Sequence, residues 1–498
     1  VVDVSVAQNK VGRASPLDDL IPRIAGLIPE VQADLAFQVL DQPGVPPSAR
    51  RTLLELAWQA ADAAREGVPL SARFRTTESR EAVALHYRKR KVDAVSIRLT
   101  VVEYLLRDDP AEALSRFTQM QIPESTGSPC SAVIAPDYSQ YYAVAAALLQ
   151  KAFPPEGLAR GDDVAFVRRL AATVPGVLAF GPWLKFVRSA PLPPSLRQEL
   201  LNTSTVAVLP NAITDRDLAI AESRDGLTAH LESAVSASPT AGGLLAGMYR
   251  RMLETVLAST LCADSVTRDD AQGGSVLDLR LAFYNRALRP FASPPSVMSR
   301  EDYRLNVSTD SARKTPLPDV PFLHLIDNLR AHRYGLRALP PERRASADPN
   351  SWEVGVTQFL HRLDAWQPPP SASVAERAAF FHQRASFYLY LVDSVPSGPL
   401  ERRAVDRLIS LLENDEIKRA SPSEWMGKVG AVLLLARRAD PSEQARLDDL
   451  RKSGKILSMA PRTDSSAIRD RLRASRDPEL AAYAYIEERF PVPYRLPG

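Results

Sequence analysis

Cysteine is almost missing from this chain: Cys130 and Cys262 are the only two in 498 residues. A disulfide-rich scaffold is thereby excluded. With no CxxC pair and no histidine beside either thiol in sequence, neither a zinc ribbon nor a redox dithiol is written here. Two readings stay open for Cys130 and Cys262. They are unrelated small apolar side chains, or they form one disulfide of an exported protein, worth about 4 kcal/mol for so long a loop if unstrained. Long apolar runs are missing too. A membrane span needs about 18 consecutive apolar residues, and the most apolar stretch, Tyr141 to Leu149, falls far short. Charge of one sign is not in excess. A net charge of +3 gives no global field for nucleic acid or an anionic membrane, and no nucleic-acid partner is expected.

The compact basic run Arg88-Lys89-Arg90-Lys91 is flanked by Glu78, Glu81, Asp93 and Glu103, so it reads as a solvated helix face. Short catalytic motifs are also missing. There is no GxxxxGK[ST], no GxGxxG after a strand, no GxSxG and no HExxH. Five acidic pairs, among them Asp108-Asp109 and Asp162-Asp163, lack the fifth-position Asp of the DDxxD motif of helical isoprenoid synthases. They fit helix starts, where negative charge meets free N–H groups. Gly242-Gly243 and Gly273-Gly274 read as loop or helix-end glycines. No cofactor is implied.

What the chain has is helix, opened again and again by one device. In Val92 to Met120, two helices are joined at Arg107-Asp108-Asp109-Pro110. Asp109 can accept from the second helix's free N–H groups, Pro110 suits the first helical position, and Glu112 is placed to close a capping box. Similar starts recur at Ser421-Pro422-Ser423-Glu424 and Asp440-Pro441-Ser442-Glu443, and in part at Asp477-Pro478-Glu479. Val95, Ile97, Leu99 and Val101 alternate as a strand would. Helix is still the better reading, because no turn residue separates them from Glu103-Tyr104-Leu105-Leu106 and the run is long for a strand.

Periodicity and breakers predict further helices, including ones over 162–172, 176–189, 194–202, 214–234, 243–262, 276–288, 351–366, 373–393, 399–413, 422–438, 441–453 and 478–490. No confident strand and no βαβ alternation is found. Residues 291–320 are irregular and Pro-rich, and divide an N-terminal helical array, 1–290, from a C-terminal one, 321–498. The 37-residue step from Asp440 to Asp477 resembles the period of paired-helix repeats. The expected fold class is all-α: irregular stacked helix pairs in an α-solenoid-like, TPR-like array, with a concave face suited to binding.

Two segments share FLHxxD: Phe322 to Asp327 and Phe359 to Asp364. His324 with Asp327, and His361 with Asp364, each lie three apart on a helix face. Two such helices packed together would offer two imidazoles and two carboxylates to a metal. The bland reading is a half-buried His beside a solvated Asp. Aromatic clusters at Tyr138, Tyr141 and Tyr142, and at Phe380, Phe381, Phe387, Tyr388 and Tyr390, are core by default and a ligand or peptide groove otherwise.

A proline seven residues before Cys130, followed by Asp137-Tyr138-Ser139-Gln140-Tyr141-Tyr142, is similar to uncharacterised helical proteins predicted to be exported by soil bacteria. The resemblance covers mainly residues 95–190. It implies an exported chain, periplasmic or extracellular, and names no catalytic residue. A leader removed before Val1 would agree with that; a cytoplasmic chain is the alternative. The expected function is that of a non-enzymatic helical scaffold recognising a protein, peptide or cell-envelope component on a concave surface. One alternative is a metal-assisted hydrolase or lyase using His324, Asp327, His361 and Asp364. The other is a carrier of a small apolar ligand.

Overall fold

The computed structural model describes residues 16–64, 92–121, 136–208, 213–237, 239–262, 276–293, 295–303, 305–308, 349–394, 398–437 and 466–489. The described chain is all-helical apart from two three-residue strands. Eleven of the 21 described α-helices begin on proline, from Pro16 to Pro478. The first turn of a helix leaves its N–H groups without intrahelical partners, so a residue with no N–H and a fixed φ loses nothing there.

Contacts divide the chain into two units, and the first is discontinuous in sequence. Its described part begins with α1 (Pro16–Ala25), α2 (Pro29–Leu40) and α3 (Pro47–Ala63). The rest lies beyond residue 348. The described part of the second unit, which is also discontinuous, runs from Asp93 to Ser308.

The second unit opens with α4 (Ala94–Asp108) and α5 (Pro110–Gln119). Asp93 caps α4 by accepting from Ser96 N, and Asp109 caps α5 by accepting from Glu112 N, each at 3.0 Å. The expected capping box does not close, because Glu112 turns instead to Arg116, 2.9 Å away one turn on. The strand-like alternation of Val95, Ile97, Leu99 and Val101 sits in helix. Ser96, Val102 and Tyr104 are buried along with them, so α4 is enclosed on more than one face and needs no single apolar stripe.

Then follow α6 (Tyr138–Lys151), α7 (Pro155–Arg160), α8 (Asp162–Ala172), α9 (Val177–Ser189) and α10 (Pro194–Val208). The single helix expected over 214–234 is two: α11 (Asp215–Asp225) and α12 (Leu227–Ala237). Gly226 between them is left-handed, with φ at 61°, and its N–H reaches back to the Ala221 and Glu222 carbonyls. Glu222 then accepts from Thr228 N at 2.8 Å and Thr228 Oγ1 at 2.6 Å, so the end of α11 caps the start of α12.

The helix expected over 243–262 is α13 (Pro239–Ala258), and Cys262 lies beyond it in β1 (Thr260–Cys262). Gly242 and Gly243 are therefore helical, not loop glycines. They let the Phe291 ring approach, since a Cβ on Gly242 would stand 3.0 Å from Phe291 Cδ1. The α14 helix (Val276–Phe283) runs into a π-turn, Tyr284–Leu288, and β1 pairs in parallel with β2 (Asn306–Ser308). That pair corrects the expectation of no strand. Three residues are too few to show as a periodic pattern.

The remainder of the first unit is α15 (Pro349–Ala365), α16 (Val374–Ser394), α17 (Pro399–Leu412), α18 (Asp415–Ala420), α19 (Pro422–Arg437), α20 (Ser466–Arg473) and α21 (Pro478–Arg489). Helix α2 packs against both α19 and α21, so residues 16–64 share a core with residues past 398. Phe37, Trp425, Leu480 and Ile486 are among its buried side chains. Among the described residues no helix is long and apolar enough to cross a membrane.

Candidate functional site

Helix α15 carries one of the two FLHxxD segments near its C-terminus. Phe359, Leu360 and Leu363 are fully buried, and Phe359 meets Phe387 of α16 edge-on at 6.2 Å. This apolar face fixes the rotation of α15, leaving His361 exposed and Asp364 half-buried at its last turn. Trp366 follows and tilts onto Phe380 of α16, ring centres 4.1 Å apart.

Asp364 is where three helices meet. Tyr388 Oη of α16 donates to its Oδ1. Two guanidiniums of α17 approach the other oxygen, Oδ2: Arg403 Nη2 at 3.6 Å and Arg407 Nε at 3.4 Å. Arg384 of α16 donates to the Asp364 main-chain oxygen at 3.1 Å, answering one carbonyl that the helix end leaves over. Burial, and then the bond to Asp364, push the Tyr388 phenol well above its ordinary range, so it stays a donor at all ordinary pH.

The chemistry differs from that expected of a metal ligand. Both Asp364 carboxylate oxygens already face donors, and two of those donors are cations that a metal ion would have to displace. His324 and Asp327 lie outside the described residues, as do Cys130, Asp440 and Arg88 to Lys91. Among the described residues, no group of three or more His, Cys, Asp or Glu side chains is arranged to hold a metal.

The aromatic residues read as core by default, and as a binding groove otherwise, are placed inside. Tyr138, Tyr141 and Tyr142 are 1%, 5% and 3% exposed. Tyr141 stacks on Phe117 of α5 at 4.7 Å, and Tyr142 leans on Trp183 of α9 at 5.4 Å. Burial raises both phenols above the ordinary tyrosine range. Through these rings helix α6 packs between α5 and α9. Phe380, Phe381, Phe387 and Tyr388 are likewise buried.

Two further polar groupings lie in the first unit. On facing helices, His382 Nε2 of α16 stands 3.3 Å from Glu424 of α19, and one turn along Lys428 Nζ donates to Ser386 Oγ. Deeper, Lys418 of α18 is 2% exposed. Its ammonium donates to Asp477, and to Glu479 at 2.9 Å, and lies 2.9 Å from Asp415. Burial alone would lower the Lys418 pKa, but these three carboxylates outweigh it and hold the ammonium above the ordinary lysine range. Asp477 also caps α21 by accepting from Leu480 N at 3.0 Å. The Lys418 ammonium is saturated by its three carboxylates, and the two groupings link α16 to α19 and α18 to α21.

Sequence reasoning noticed Asp364 and Tyr388 but missed Arg384, Arg403 and Arg407. The one available signal was the i, i+4 spacing of Arg403 and Arg407, which sets both on one helix face. Nothing in the sequence says that this face meets Asp364. No protein-family model matches the chain, and no curated protein or solved structure is detectably similar to it.

Proposed function

We propose that this chain is a non-enzymatic helical scaffold, with helices stacked in α-solenoid-like pairs, that binds a protein, peptide or envelope component on an exposed helical face. Export is part of the same reading, and a Cys130–Cys262 disulfide would fit it. The observation that carries the proposal is the three-helix junction at Asp364, where two arginines approach the carboxylate and a third donates to the main-chain oxygen of the same half-buried residue. Guanidiniums at the edge of a packed aromatic cluster are a composition found at recognition surfaces. The pairing of α2 with α3, α4 with α5, α12 with α13 and α16 with α17 supports the stacked-pair arrangement.

The test is selection of peptides from a random display library against the full chain, followed by hydrogen exchange of the complexes. The expected result is peptides that bind with a Kd below about 100 μM, or −5 to −6 kcal/mol, and that slow exchange on exposed helix faces. The reading fails if no selected peptide binds. It also fails if the chain, loaded with a divalent metal, turns over ester, amide or phosphoester substrates.

A further inference from the structure

The junction of α15, α16 and α17 holds more positive charge than its own carboxylate uses. Arg403 and Arg407 approach the Asp364 carboxylate and Arg384 donates to its main-chain oxygen, so three guanidiniums surround a residue that carries one carboxylate. A guanidinium carries five N–H donors in a planar fork. The Arg403 and Arg407 side chains are 44% and 54% exposed, so much of each fork faces water. The Arg384 Nε is buried and has no hydrogen-bond partner.

Four acids on or beside the neighbouring helices are committed elsewhere. Asp406 lies 3.6 Å from Arg471, and Glu413 accepts from Arg471 and Ser475. Glu416 pairs with Arg377, and Glu424 sits beside His382. Asp406, Glu413, Glu416 and Glu424 therefore do not offset the positive charge at Asp364.

We propose that Arg403 and Arg407 anchor an acidic peptide segment, whose Asp or Glu carboxylates take the N–H edges that Asp364 leaves over. This names the partner chemistry for the binding function proposed above and rests on it. The planar fork matches a carboxylate through two parallel bonds. Arg403 and Arg407, one turn apart on α17, have Cβ atoms about 6 Å apart. Alternate side chains of an extended peptide are spaced by about 6.6 Å, so two acids two residues apart reach both forks. That spacing, and the carboxylate already seated in the cradle, favour a peptide over a phosphate. Asp364 holds the forks in place and at the same time competes for them.

The test uses the full chain and fluorescence anisotropy with a labelled twelve-residue peptide of alternating Glu and Ala. A Gln-Ala peptide serves as control, and inorganic phosphate or phosphatidylserine vesicles serve as competitors. The Glu peptide is expected to bind at least tenfold more tightly than the Gln peptide, and to weaken with salt. The double variant Arg403→Gln, Arg407→Gln is expected to lose tenfold or more, and Asp364→Asn to gain threefold or more. A site that is only a structural ion pair would show no gain in Asp364→Asn, and that result overturns the proposal. So do unchanged affinity in a folded double variant, and displacement of the peptide by phosphate or vesicles at equal charge concentration. If the double variant does not fold, Asp364→Asn and the exchange footprint on α17 decide the matter. A library peptide that protects other helices instead would keep the binding function and overturn this site.

Discussion

Tyr483 Oη donates a 2.6 Å hydrogen bond to Asp34 Oδ2, joining two residues 449 positions apart. Asp34 is 6% exposed and also accepts from Gln38 Nε2 at 2.8 Å. The bond ties α2 to α21 inside the first unit. Replacing Tyr483 with Phe keeps the ring and removes one donor from a buried carboxylate. It should cost about 1–3 kcal/mol in urea unfolding of the full chain. A loss below about 0.5 kcal/mol, the range of ordinary surface substitutions, would mean that this contact does not hold the termini together.

Lys418→Met should be more damaging. It leaves Asp477 and Glu479, 8% and 6% exposed, without their shared cation. Breaking one side of a buried ion pair costs about 3–5 kcal/mol. Adding Asp477→Asn and Glu479→Gln to that variant removes the stranded charges, while Asn still caps α21, so part of the loss should return. Thermal unfolding of the single and triple variants decides this, and no recovery in the triple variant would refute it.

Two groups set the pH limits in opposite ways. Lys418 is held above the ordinary lysine value of 10.5, so its contribution is whole below that pH and fades as pH climbs through the higher folded value. Burial raises the Glu413 carboxyl, but its bonds from Arg471 and Ser475 outweigh that and hold it below the ordinary 4.5. Its contribution is present above 4.5 and lost as pH falls through the lower folded value. Glu413→Gln should therefore flatten the acid limb of the urea midpoint against pH. An acid limb identical to that of the parent chain would rule this out.

Two glycine substitutions should act with opposite signs. Gly226→Ala places a Cβ at φ 61°, and the left-handed conformation costs an L-residue about 1–2 kcal/mol. Gly355→Ala, inside α15 with nothing within 4 Å of its Cβ position, should gain about 0.5–1 kcal/mol because glycine is the poorer helix former. The first should lower Tm and the second raise it; the same sign for both would contradict the account of the α11–α12 break.

Much of the helical layout was legible because its signals are local. Proline at the first helical position and Asp at the cap depend only on neighbours a few residues away, and they put the starts of α5, α17, α19 and α21 within a residue or two. Errors came where a local signal is weak or another contact intervenes. Gly226 reads as a tolerated helical glycine until its φ is known. Gly242 and Gly243 read as loop or helix-end glycines, and only the structure shows the Phe291 ring against Gly242. The short α7, α18 and α20 hold too few residues to show a period.

By itself, the sequence determined that the chain is helical, where many helices begin, and that Asp364 sits one turn after His361. Tertiary structure alone decided what each face meets. It sent Tyr138, Tyr141 and Tyr142 into the core, joined residues 16–64 to the C-terminal helices through contacts such as Tyr483 to Asp34, and set Arg403 and Arg407 on Asp364. Caps and turns are settled by energies within a few residues. The partner of a side chain depends on burial across the whole unit.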